Sequence, residues 1–346
     1  MLSCVLGRTD IGAPIFKRHW RQVLLGPLVS AACIAAILYL VKPQELLQAL
    51  RLGDYRLAIV GAFVTVGWLL MRALVWRNLL QEKAAYSQVF FTLNEGYLLN
   101  NLLPFRLGEV GRAFLLKRKT GVDFSFILST IALERAFDLL LASGAFLCAL
   151  PFAAGANIAP QAALLPGGLV MAGLIFIYVL ARRRQRAQQL FEQATRRWPV
   201  LHRLGGRVLE PFLAGLAVLT QRRRFLLNVI FFALNLGIGF LQYYTLLRAF
   251  FPQAPLVWAV FCLGASSLGM ALPASPGSLG VFEGAIVGAL AALSLDTSAE
   301  FRALSLAYAL TLHVWNYVIT GSLGAYGLAR DGESLTGLFQ RLKSPA

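Results

Sequence analysis

LNNLLPFRLGEVGR (Leu99–Arg112) and LPASPGSLGVFE (Leu272–Glu283) decide the fold, because each sets chain breakers and polar groups inside a stretch otherwise apolar enough for a bilayer. The breakers are Pro104 and Gly108 in the first, and Pro273, Pro276, Gly277 and Gly280 in the second. An unpaired backbone amide in hydrocarbon is costly, so a broken helix survives there only inside protein or beside a water-filled cavity. Two such breaks in one chain predict a polar pocket at membrane depth, which is what moving a polar substrate through a bilayer requires.

Outward from these stretches, the composition agrees. Of 346 residues, 58% are hydrophobic and 14% charged, against about 25% charged in soluble domains. The chain reads as an all-α polytopic membrane protein forming a single membrane domain over residues 1–346. A net charge of +16 could suit a nucleic-acid binder, but the basic residues lie in short clusters beside apolar segments, such as Lys117-Arg118-Lys119 and Arg182-Arg183-Arg184. That placement sets topology and meets anionic lipid, so nucleic acid is not expected as a partner. Cys4, Cys33, Cys148 and Cys262 are scattered with no metal-ligand spacing. No Walker loop, His-Glu-x-x-His pair or Gly-x-Ser-x-Gly elbow is present. The reading is therefore not an enzyme, with no cofactor and no metal. Any transport would draw on an ion gradient or on the lipid gradient itself.

Hydropathy predicts about six full transmembrane helices, each needing roughly 20 residues, at 22–41, 57–76, 124–150, 163–181, 225–247 and 303–329. The broken segments 86–116 and 255–293 have limbs too short to span and read as re-entrant hairpins. Residues 42–56 read as a short loop, 182–224 as basic cytoplasmic linker helices, and 330–346 as a cytoplasmic tail behind a transmembrane core of 22–329. Most of the 32 Lys and Arg then fall on the side of the N-terminus, which places both termini in the cytoplasm. Because three full spans separate the hairpins, they enter from opposite faces. Both carry Pro, Gly, Glu and Gly in order: Pro104, Gly108, Glu109 and Gly111, then Pro273, Gly277, Glu283 and Gly284. This is a weak internal repeat with the inverted topology that alternating-access transporters use.

The polar residues at membrane depth are the candidate site. Glu109 and Arg112 share a helix face and can pair. With Arg106 they sit at a helix start after Pro104, where free amides and partial positive charge suit an anion such as a phosphate headgroup. Asn101 adds polar lining, with Asn94, Glu95 and Asn100. Glu134, Arg135 and Asp138 fall mid-span, where each charge costs about 2.5–3.5 kcal/mol. They must face the interior and find partners, for which Arg112 and Arg72 are the candidates. Glu283 is an isolated acid, either a coupling-proton site or a brace for its hairpin; His313 is either a proton relay or a helix–helix hydrogen bond. Each of these charges could also serve structure alone, bracing the hairpins by mutual neutralisation.

NLLPFRLGE (Asn101–Glu109), Glu134-Arg135 with Asp138, and PGSLGVFE (Pro276–Glu283) together resemble the transmembrane, flippase-like domain family of lysylphosphatidylglycerol synthases, over about residues 22–329. The resemblance implies a bacterial inner-membrane domain with paired re-entrant helices that moves aminoacylated phospholipid between leaflets. The two-part synthases continue into an aminoacyl-transferase domain, whereas this sequence stops at Ala346, which implies a stand-alone member. The expected partner is thus a polar-headgroup phospholipid or an isoprenoid lipid, handled by a translocase. Two alternatives stay open: a lipid-modifying transferase using Glu109 or Glu134 as general base, and an accessory subunit anchoring a separate lipid enzyme through 182–224. The sequence is also compatible with a homo-oligomer.

Overall fold

Both broken stretches fold as helical hairpins whose tips meet inside a bundle of longer helices. The computed structural model describes residues 30–35, 39, 41–103, 106–152, 164–195, 198, 215–271, 275–294, 296 and 298–333. Every regular element among them is helical: α1 (Pro43–Leu52), α2 (Tyr55–Leu79), α3 (Tyr86–Leu102), α4 (Leu107–Thr120), α5 (Phe124–Ala149), α6 (Leu164–Arg182), α7 (Arg184–Thr195), α8 (Arg222–Phe250), α9 (Leu256–Ala271), α10 (Val281–Ser294) and α11 (Ala299–Arg330). Short 3₁₀ turns occupy Leu150–Phe152, Ala217–Thr220 and Pro276–Ser278. Pro104 and Pro273, most of the span expected at 22–41, the loop at 153–163, and most of 196–214 and of the tail lie outside the described residues.

Local chemistry sets the boundaries. Asp54 caps α2 by accepting the Arg56 amide at 3.0 Å, Asp123 caps α5 through Phe126 at 2.9 Å, and Ser298 caps α11 through Phe301 at 3.1 Å. Gly121, with φ +70°, ends α4 in the left-handed conformation that glycine adopts without strain. One expectation needs correcting. Residues 42–56 are not simply a loop but contain α1, which starts at Pro43 and packs Leu46, Ala49 and Leu50 into the core beside α11. Proline at the first helical position loses no hydrogen bond, and the short amphipathic stretch between Lys42 and Arg51 is stable only through that packing.

The described helices form the same unit twice: α2, the hairpin α3–α4 and α5, then α8, the hairpin α9–α10 and α11. Contacts exchange between units as a two-fold would require. The first limb α3 packs on α11 and the first limb α9 packs on α5, while α2 packs on α8. The units run in opposite directions, because the Asp54 amide at the start of α2 donates to Ala249 O at the end of α8 (2.9 Å), and Asn78 at the end of α2 donates to Arg224 O at the start of α8 (3.4 Å). The weak sequence repeat is thus an inverted structural repeat.

Of the described helices, α2 and α8 (25 and 29 residues) and the segment Pro276–Ser294 are long and apolar enough to cross a membrane. Helices α5 and α11, at 26 and 32 residues, match them in length. Large apolar side chains such as Phe63, Phe176, Met171, Ile230 and Val314 point outward, as a bilayer-facing surface demands. The chain is a multi-pass membrane protein.

Hairpin closure depends on glycine at one spot. A Cβ on Gly108 would lie 2.3 Å from Gly96 O and 2.6 Å from the Asn100 amide nitrogen, both backbone atoms that cannot swing aside. By contrast, Gly288 on α10 has open space around it. Gly108→Ala is expected to destabilise by about 1–3 kcal/mol through overpacking, and Gly288→Ala to be neutral, when thermal unfolding of the detergent-solubilised protein is followed by intrinsic fluorescence.

Candidate functional site

Six charged side chains from three helices, α2, α4 and α5, converge beside the tip of the first hairpin. Glu134, fully buried on α5, is held between two guanidinium groups: Arg72 Nη2 of α2 lies 2.6 Å from Oε1, and Arg112 Nη2 of α4 donates to Oε2 at 2.8 Å. Arg72 also grips Asp138 in a two-pronged contact, with Nη1 donating to Oδ1 at 2.7 Å and Nη2 to Oδ2. Arg135 lies 2.9 Å from Glu109 Oε1 and donates to Asp138 Oδ2 at 3.1 Å, and Glu109 comes within 3.7 Å of Arg112. Three arginines thus balance three carboxylates. The cations also rest on aromatic faces, with Arg112 centred 4.1 Å over Trp76 and Arg72 at 5.8 Å from Trp68 and Phe232. Such contacts strengthen when desolvated.

The cluster is sealed on one side only. Arg72 and Arg112 are buried, but the Asp138 and Arg135 side chains keep 28% and 29% exposure. Beside them stands Arg106, exposed, at the tip of the first hairpin. Arg106 caps α4 with φ +54°, a left-handed conformation that costs a non-glycine residue about 1–3 kcal/mol. Its guanidinium donates to Met270 O on α9, which ties the two hairpin tips together. Asn100 Oδ1, Glu109 Oε2 and Arg112 Nε line a narrow crevice beside Gly108, buried and without hydrogen bonds. Buried polar atoms of this kind have capacity to spare for a polar ligand.

The second hairpin carries its own pair. Glu283 is buried at the start of α10, and its Oε1 lies 2.5 Å from His313 Nδ1 on α11. The repeat is visible here too, since Glu109 and Glu283 both sit in the first turn after their hairpin tip and both meet a base on the helix that follows, Arg135 or His313. Near the far end of the first hairpin, Lys119 contacts Glu95 at 2.7 Å and Asp331 at 2.5 Å, while Arg118 pairs with Glu333. These residues border a cleft of ≈ 350 Å³ that also includes Ser87, Gln88 and Phe91.

Of the sequence candidates, Arg106, Glu109, Arg112, Glu134, Arg135 and Asp138 come together. Two do not. Asn101 turns to α11, where its amide donates to Thr320 Oγ1 at 3.5 Å, and Glu283 belongs to the separate pair with His313. Glu95, expected to line the first hairpin's polar interior, is buried against Lys119 instead. Sequence reasoning missed Trp76 and Asn235. Trp76 follows Arg72 by one helical turn, a spacing that places it on the same face; Asn235 Oδ1, 3.4 Å from Arg72, comes from the other repeat and left no local signal.

Comparison with known proteins places this geometry in context. Residues 23–324 match the family described as the lysylphosphatidylglycerol synthase transmembrane region. A UPF0104 membrane protein of Methanocaldococcus jannaschii, MJ1078, is 26% identical over 67% of this chain and 95% of its own. A UPF0104 membrane protein of Methanothermobacter thermautotrophicus is 28% identical over 35% of this chain and 36% of its own. The glycosyltransferase AglD of Haloferax volcanii is 22% identical over 39% of this chain, a match covering 24% of AglD. No solved structure matches.

Removing Glu134 strands two buried guanidinium groups. Glu134→Ala is expected to lower stability by about 3–5 kcal/mol. Asp138→Asn keeps an acceptor at a partly solvated position and should cost less than half of that. Thermal unfolding of the two variants side by side checks the order.

Proposed function

We propose that this chain, which belongs to the family of lysylphosphatidylglycerol synthase transmembrane regions, is a lipid translocase that moves a polar-headgroup phospholipid or isoprenoid lipid between leaflets. One observation carries the reading. A balanced arginine–carboxylate cluster lies within the long helices α2 and α5, beside the tip of the first hairpin, and stays open through Arg106, Arg135 and Asp138. Charges at that depth are expensive unless they face a polar path. A cluster with paired charges of both signs also suits a headgroup that combines a phosphate with a cation. Arg106 and Arg135 would take the phosphate by bidentate contacts, Asp138 and Glu109 would take a cationic group, and the acyl chains would stay in lipid outside the opening.

The match to only part of AglD, whose name is that of a glycosyltransferase, supports a membrane unit that serves lipid chemistry of more than one kind. A transferase reading of this chain has less support. Both carboxylates are engaged in ion pairs, Glu134 with Arg72 and Arg112 and Glu109 with Arg135, an arrangement that suits fixed charge better than a general base. Residence in the cytoplasmic membrane with both termini inside, docking of a separate lipid-modifying enzyme on residues 182–224, and self-association belong to the same proposal.

Reconstitution tests it. Liposomes carrying the protein should exchange headgroup-labelled phospholipid between leaflets faster than empty liposomes. Arg106→Ala and Asp138→Asn, which leave the buried Glu134 pairs in place, should each slow exchange about tenfold, equivalent to about 1.4 kcal/mol in the barrier. Rates equal to those of empty liposomes would refute translocation.

A further inference from the structure

The second hairpin is fastened to α11 by a pair whose hydrogen count follows from its partners. His313 Nε2 lies 3.1 Å from Gly277 O, and Nδ1 lies 2.5 Å from Glu283 Oε1; Glu283 Oε2 accepts the Gly280 amide at 2.7 Å. A neutral imidazole has one N–H and one bare nitrogen. Gly277 O can only accept, so Nε2 must carry a hydrogen. Nδ1 then faces a carboxyl oxygen, and that contact needs a second hydrogen, whether it resides on nitrogen or on oxygen. When the second proton is lost, one of the two ring nitrogens points a lone pair at an oxygen, and one hold on the hairpin becomes repulsive.

What the pair holds is the tip itself. Gly277, Ser278 and Gly280 have φ of +67°, +58° and +83°, so this turn includes a non-glycine residue in the left-handed region. The turn has little slack: a Cβ on Gly277 would fall 1.2 Å from Tyr317 Oη, and one on Gly280 would lie 2.8 Å from Ser30 O. Among the described residues, the titratable groups around it are few. Tyr317 of α11 stacks edge-on to His313, and Cys33 of the segment 30–35 borders Gly280. Cys262 of α9 lies beside Tyr243 and Tyr308, α3 directs Tyr97 to the arginine cluster, and Arg106 reaches this hairpin at Met270 O.

We propose that the Glu283–His313 pair is a proton-binding site that clamps the tip of the second hairpin, and that loss of the shared proton to water releases Gly277 and loosens the tip. No bond between heavy atoms changes. The proposal stands on the geometry of this hairpin and holds whatever substrate the chain carries.

The full chain in lipid nanodiscs, with His19 and His202 changed to Gln, keeps His313 as its sole histidine. Nitrogen NMR of ¹⁵N-histidine should show hydrogen on both ring sites of the pair, then a single step to one ring hydrogen as the pH is raised. Over that step, deuterium uptake by peptide 275–283, corrected for intrinsic exchange, should rise about tenfold. Glu283→Gln and His313→Gln should each abolish the pH-dependent step in uptake, and either one that folds suffices. A ring with one bare nitrogen throughout, uptake that ignores the ring's step, or variants that retain the pH dependence would each overturn the proposal.

Discussion

The carboxylate of Glu134 between Arg72 and Arg112 is the contact on which the first half of the molecule is built. A lone charge at that depth would be too costly to hold, and two lone cations would be worse. Together they lock α2, α4 and α5 into one arrangement, because each guanidinium can satisfy its partner from only one direction. The same contacts fix the register of the hairpin against α5. Burial of Trp76 beneath Arg112 completes the lock by removing water from the same contact. The arrangement neutralises charge without sealing it: Asp138 and Arg135 complete the ledger of charges from its open side.

The inverted repeat explains why two hairpins with different chemistry share one geometry. Both place an acid in the first turn past the tip, and both set a left-handed residue just before that turn, Arg106 in one and Gly280 in the other. In the first unit the acid meets a permanent cation that stays charged at any physiological pH. In the second it meets an imidazole, which can change its proton count. One scaffold thus presents two different electrostatic settings, an arginine–carboxylate cluster and a histidine–carboxylate pair, linked where Arg106 meets Met270 O.

Much of this was legible in the chain. Pro and Gly inside apolar segments marked both hairpins, and the spacing of Glu134 and Asp138 required an arginine facing them, which Arg72 supplies. Other features had no local signature. Helix α1 is short and mixed in polarity, and its stability comes from α11, more than two hundred residues away in the chain. Asn101 looked like pocket lining because it neighbours the break, yet helix rotation turns it to Thr320. Glu283 and His313 read as two isolated oddities, since nothing in the linear order brings a first-turn acid opposite the middle of the last helix. Lone polar groups in neighbouring apolar segments are best sought as pairs.

The contacts of Lys119 with Glu95 and Asp331, and of Arg118 with Glu333, join the outer end of the first hairpin to the end of α11. That bracket makes the hairpin a lever with a pinned base. Helix α11 runs, at about 1.5 Å per residue, for nearly 50 Å, from this hinge to the mouth of the opposite hairpin. One helix therefore carries a fastening for each hairpin, the Lys119–Asp331 ion pair at its end and His313 near its middle, which joins the two repeats mechanically.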